Sequence, residues 1–164
     1  MRSLAPQIGA WRVSLDALDA PEALVAAARD AELAAQEHAA IASRLAYALV
    51  GRASTVPPSP GEVEPVELPL SSLVVAVARE AIDSCLASHL TRAALRRCHE
   101  PEVARQLHRI EGHIATRSHF AWATLRWILA RGAAGQALLH EAIMTVYRER
   151  CEALASGIGR ANSS

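Results

Sequence analysis

The chain has 164 residues, seventeen basic and seventeen acidic side chains, no net charge, and 51% hydrophobic residues of which few are aromatic. Such a neutral chain lacks the basic excess that nucleic acid or an anionic membrane surface demands, and its length fits one domain with a moderate core. Cys85, Cys98 and Cys151 are too few and too scattered for a disulfide framework or a zinc site. With no signal-peptide pattern and no apolar run near about 18 residues, the expectation is a soluble, cytoplasmic protein with no membrane contact.

Residues 1–20 read as an N-terminal arm or a short helix, in which Trp11, Val13, Leu15 and Leu18 would dock on the body. Pro21 suits a first helical position, with Asp19 as N-cap, and the run to Val50 holds neither glycine nor proline. Leu24, Ala27, Ala31, Ala34, His38, Ile41, Leu45 and Ala48 form its stripe, and Gly51 closes it. Residues 51–69 carry five prolines, which forbid a continuous helix and make a linker long enough to cross a bundle from end to end.

Ser71 or Ser72 is placed to cap the next helix. Ile82, Leu86, Leu90 and Ala93 read as its core-facing row, with Val74, Ala78, Ala81 and Cys85 as an adjacent one. After a turn at Glu100-Pro101 comes the most regular stretch, 101–131. Val103, Leu107, Ile110, Ile114, Arg117, Ala121, Thr124 and Ile128 recur there at steps of four and three on one face. Gly132 and Gly135 read as its end, and a shorter helix, 136–155, follows with Leu139, Ile143, Val146 and Tyr147 inward. Residues 156–164 read as a frayed tail. The fold class is therefore all-α, with residues 21–155 as an antiparallel helical bundle with one long proline-rich crossover.

Other chemistry-bearing side chains have ordinary readings beside the functional ones. His108 and Glu111 form an i, i+3 surface pair, and His113 and His119 lie on different faces of the same helix. His89 and His99 are isolated in sequence. Cys85 reads as a buried core cysteine or a soft ligand. No serine has the setting of a nucleophile elbow, and no glycine-rich phosphate cradle occurs. Phe120, Trp122 and Trp127 read as packing against the last helix or as an interface.

Pro101, Val103, Leu107, Ile110, Ala121, Trp122 and Trp127 together resemble the last core helix of bacterial ferritin-like, di-iron carboxylate proteins. Arg79 and Glu80 fall on the Arg-Glu pair of the preceding helix in that family, and the resemblance extends over about residues 15–131. It implies a ferritin-like bundle with two iron ions held by one Glu from each of two helices and a Glu-x-x-His box from each of the others. In this chain Ile114 and Arg117 stand where the last box would be, and Cys85 where the preceding helix would supply its Glu. In the second helix Glu37 can be aligned with a ligand Glu, with Ala40 at the His. Another register places Ala39 and Ala42 there, and Gln36 to Ala40 also resembles the family's first helix.

The resemblance thus implies a bundle without a complete di-iron site and without a cofactor, a non-enzymatic structural or protein-interaction module. The alternative is an iron-binding protein or metal-dependent oxidoreductase with a rearranged site drawn from Glu37, Glu80, His89, His108 and His113. Arg117, a charge in an apolar stripe, calls for a carboxylate partner, Glu37 or Glu80, or for a route to water along its stem. A bundle with one thinly covered side and much apolar surface leads to the expectation of a homodimer.

Overall fold

Alanine-rich runs free of internal proline favour helix, because alanine loses no side-chain entropy on ordering. The computed structural model describes residues 4–50 and 66–161, with side chains over 4–48 and 66–153. Among these residues it is all-α: α1 (Ala5–Ala17), α2 (Glu22–Val50), α3 (Leu70–Leu95), α4 (Pro101–Leu129) and α5 (Ala133–Ala161). Gly51, residues 52–65 of the proline-rich stretch, and residues 162–164 of the expected tail lie outside the described residues. No described helix is long and apolar enough to cross a membrane.

The central helix is α4, which packs against α2, α3 and α5, while α2 and α3 do not approach each other. Arg92 contacts Glu111 and Glu80 contacts Arg117, so α3 and α4 are antiparallel. Glu37 contacts His113 and Ile41 packs with Ile110, so α2 and α4 are antiparallel too. It follows that α2 and α3 run in the same direction on either side of α4. The α4 stripe faces inward as the spacing predicts: Ile110, Ile114, Arg117, Ala121, Thr124 and Ile128 are all buried.

Two apolar clusters result among the described residues. The larger gathers Ile8, Trp11 and Leu15 of α1, Leu24, Ala28, Ala31 and Ala35 of α2, Leu73, Val74 and Val77 of α3, Phe120, Leu125 and Ile128 of α4, and Ala142 and Val146 of α5. The smaller holds Ile41, Ile110 and Ile114, with Leu45 and Ala87 against it. Small alanines on α2, Ala28, Ala31 and Ala35, let that helix come close to its neighbours.

Residues 5–17 are a helix of the core rather than a loose arm. Trp11 stacks on Phe120 with ring centroids 6.4 Å apart. The fully buried Ser14 donates to the Ala10 carbonyl and accepts the Leu68 N–H at 2.8 Å, which ties α1 to the chain entering α3.

Several sequence expectations are corrected. Asp19 is left-handed (φ 53) and does not cap α2. It instead closes α1, where the Ala20 N–H reaches the Leu15 carbonyl in the manner of a Schellman turn. Pro69, not Ser71 or Ser72, occupies the N-cap of α3. Gly132 (φ 77) does end α4, but Gly135 belongs to α5, where a Cβ would collide with the carbonyl oxygen of Ile128. α5 has 29 residues, so it is as long as α2 and α4. Its inward set is Ala142 and Val146 with Leu139 half-buried, whereas Ile143 and Tyr147 face outward.

On α3 the row Ile82, Leu86, Leu90 points to solvent, and Leu73, Val74, Val77, Ala78 and Ala81 face the core. Of the aromatics, Phe120 is buried against α1, Trp122 is 45% exposed, and half-buried Trp127 receives the Arg131 guanidinium over its ring at 4.8 Å.

Since Trp11 and Phe120 join α1 to α4, Trp11→Ala is expected to cost about 3–5 kcal/mol of unfolding free energy. Urea titration measures this, and a cost below about 1 kcal/mol would mean that α1 is not part of the core.

Candidate functional site

Between the two apolar clusters lies a layer of polar side chains. The α2 stripe that buries Ala34, Ala35 and Ile41 carries His38 between them. The inner face of α3 contributes Glu80 and Ser84, and the α4 stripe contributes Arg117, with His113 one turn earlier. Glu80 and Arg117 are only 6% and 8% exposed.

Arg117 Nε lies 3.5 Å from Glu80 Oε1. That is an ion pair, but it is too long and poorly aligned for a strong hydrogen bond. Burial pushes the Glu80 carboxyl up and the Arg117 guanidinium down, and the opposite charge of each partner offsets part of the other's shift. Asp83 nearby pushes Glu80 further up. A guanidinium does not deprotonate in a folded protein, so Arg117 stays charged and Glu80 is the counter-charge closest to it.

The imidazoles complete the layer. His113 Nε2 sits 2.9 Å from Glu37 Oε2, with the histidine largely buried and the Glu37 side chain 60% exposed. His38 is held neutral, its pKa lowered to about 4 by burial first and then by Arg117 and His113. Four shielded atoms of the layer have no hydrogen-bond partner among the described residues: His38 Nδ1, Glu80 Oε1, His113 Nδ1 and Arg117 Nε. Ser84 satisfies itself on the Ala81 carbonyl.

Of the sequence candidates, Glu80, His113 and Arg117 meet in this layer, with Glu37 at its rim. His89 and His108 do not: both are exposed, and His108 only flanks Glu111, which is held by Arg92. Ile114 is buried in the smaller cluster. Cys85 is exposed and turned away from the layer, contrary to its reading as a core residue and former ligand position; all three cysteines are free thiols. Sequence reasoning missed His38 as a member of the layer, although its place in an apolar stripe was the signal. It also missed the pairing of His113 with Glu37 and the two ion pairs of α3 with α5, Arg79–Glu149 and Asp83–Arg150.

The layer does not fit a dinuclear iron centre. Its permanent cation, Arg117, repels any second cation. Among the described residues no three His, Cys, Asp or Glu side chains converge to hold a metal ion. No protein-family model matches the chain, and neither the curated proteins nor the solved structures give a match.

His38 makes folding sensitive to acid. An unfolded histidine titrates near 6.5, whereas folded His38 refuses its proton down to about 4. As pH falls through that window the unfolded chain gains a proton that the folded chain does not, so stability drops; above it His38 contributes nothing to pH dependence. Glu80, with its pKa raised, acts with the opposite sign by taking up its proton earlier when folded. Subtracting the pH profile of a His38→Leu variant from that of the wild type isolates the histidine. Denaturant titrations are expected to show a relative loss of about 1–2 kcal/mol between the two limits, after allowance for partial exposure. Parallel profiles would refute the buried neutral state.

Proposed function

We propose that the chain is a ferritin-like helical bundle that has given up di-iron chemistry and serves as a non-enzymatic structural or protein-interaction module. The observation that carries this reading is Arg117, buried beside Glu80 in the interior layer where the resemblance calls for metal ligands. A lineage that lost its metal would leave inward carboxylates unpaired, at a cost of several kcal/mol each. Here one carboxylate remains inside and a guanidinium answers it.

The helix order supports the ferritin-like topology. The parallel run of α2 and α3 requires a connection that returns along the bundle. A helix of 29 residues like α2 is about 43 Å long, and residues 51–69 can reach about 60 Å when extended. In this reading α1 stands where such a bundle has its first long helix and covers only part of it. The three free cysteines support a reducing compartment, the cytoplasm, and self-association completes the proposal.

Metal analysis of protein purified from iron-supplemented cells tests it. Less than about a tenth of an iron per chain is the expected result. Near two irons per chain would establish the other reading, an iron-binding or oxidase site rearranged around Glu37, Glu80 and the histidines.

A further inference from the structure

We propose that the outer face of α3 is the contact surface between two copies of this chain, packed as an antiparallel helix pair across a two-fold axis at Leu86. The helix carries apolar side chains on two opposite faces. Leu73, Val74, Val77, Ala78 and Ala81 are buried inward, while Ile82, Leu86 and Leu90 stand 39%, 58% and 62% exposed on the far side. Residues four apart lie nearly one above another on a helix, so these three make a continuous ridge. Within one copy α3 packs on α4, α5 and α1, and the three ridge side chains stay exposed beside those contacts, a face left open to a neighbour.

The ridge fits a copy of itself. Leu86 is midway between Ile82 and Leu90, so antiparallel pairing sets Leu86 on Leu86 and Ile82 of one copy opposite Leu90 of the other, as an isologous interface requires. The charges beside the ridge are already neutralised within the protomer. Arg79 pairs with Glu149 at 2.6 Å, and Asp83 pairs with Arg150. An acidic or basic partner finds no free counter-charge in these pairs, whereas a second neutral copy meets no repulsion. Paired about Leu86, two antiparallel copies of α3 (Leu70–Leu95) overlap over residues 77–95, about 28 Å of helix.

The proposal rests on the reading of the chain as an interaction module, yet metal content tests that reading and molar mass tests this one, so either can fail alone. The experiment is light scattering with size exclusion at tens of micromolar on wild type, Leu86→Glu, Leu33→Glu and Tyr147→Glu, with circular dichroism as the check on folding. Leu86 is exposed in the protomer, so Leu86→Glu is expected to keep its helicity while setting two carboxylates against each other at the axis. The expected result is twice the protomer mass for wild type and for Leu33→Glu, an exposed site on α2, and a loss of at least tenfold in dimer affinity for Leu86→Glu. A monomeric wild type overturns the proposal, because something other than a second copy then covers the ridge. A dimer that survives Leu86→Glu, or that dissociates only on Tyr147→Glu, places the contact elsewhere and overturns it as well.

Discussion

A guanidinium that cannot shed its proton fixes what surrounds it. Arg117 sits on the inward stripe of α4, the helix that touches α2, α3 and α5, so its charge has to be answered from inside the bundle. Glu80 answers it from α3, at a distance that leaves Arg117 Nε and Glu80 Oε1 without hydrogen bonds. Burial acts against both charges and mutual attraction offsets part of that cost, which is the usual balance for an interior ion pair. Such a pair adds little net stability. It does make either partner alone intolerable, and it sets the level at which α3 and α4 meet.

From that level the rest of the bundle divides. On one side the aromatic stack of Trp11 and Phe120 draws α1 into the large cluster. On the other, Ile41, Ile110 and Ile114 form a small cluster with fewer partners. His38 stays neutral because burial shields it from water and, after that, because a permanent cation lies beside it. A second cation is unwelcome there for the same reason, and that links the packing to the absence of a fit for iron. The polar layer is therefore a consequence of one charged side chain, extended across three helices.

How much of this was legible in the sequence depended on how one-sided each helix is. The α4 stripe is flanked by polar residues, so its spacing placed Ile110, Ile114, Arg117, Ala121 and Ile128 inward and the structure agrees. α3 offers two apolar rows at helical spacing, and nothing local decides which one meets α4. The row Ile82, Leu86, Leu90 reads as core-facing yet faces out, and Cys85 is the exposed end of the adjacent row, whose Val74, Ala78 and Ala81 are buried as the spacing predicts. Residues 1–20 read as an arm as readily as a helix because terminal segments are often poorly ordered, although Ile8, Trp11 and Leu15 recur at steps of three and four and are all buried. Gly135 reads as a terminator because glycine ends helices, whereas in the fold it lets α5 pass close to the Ile128 carbonyl. Arg117 stands out in the sequence as a charge among aliphatics, and Glu80 is one of two carboxylates able to meet it. Choosing between them needed the tertiary register that puts Glu80 opposite Arg117 and sends Glu37 to the rim with His113.

The most direct measurement is a double-mutant cycle on the interior pair: wild type, Arg117→Leu, Glu80→Leu and the double variant, each unfolded in urea near neutral pH. If the two charges exist only to answer each other, each single change strands its partner and costs about 3–5 kcal/mol, while the double variant recovers most of that loss. Costs that simply add, or an Arg117→Leu cost below about 1 kcal/mol, would contradict the account, because the guanidinium would then be paired elsewhere or solvated.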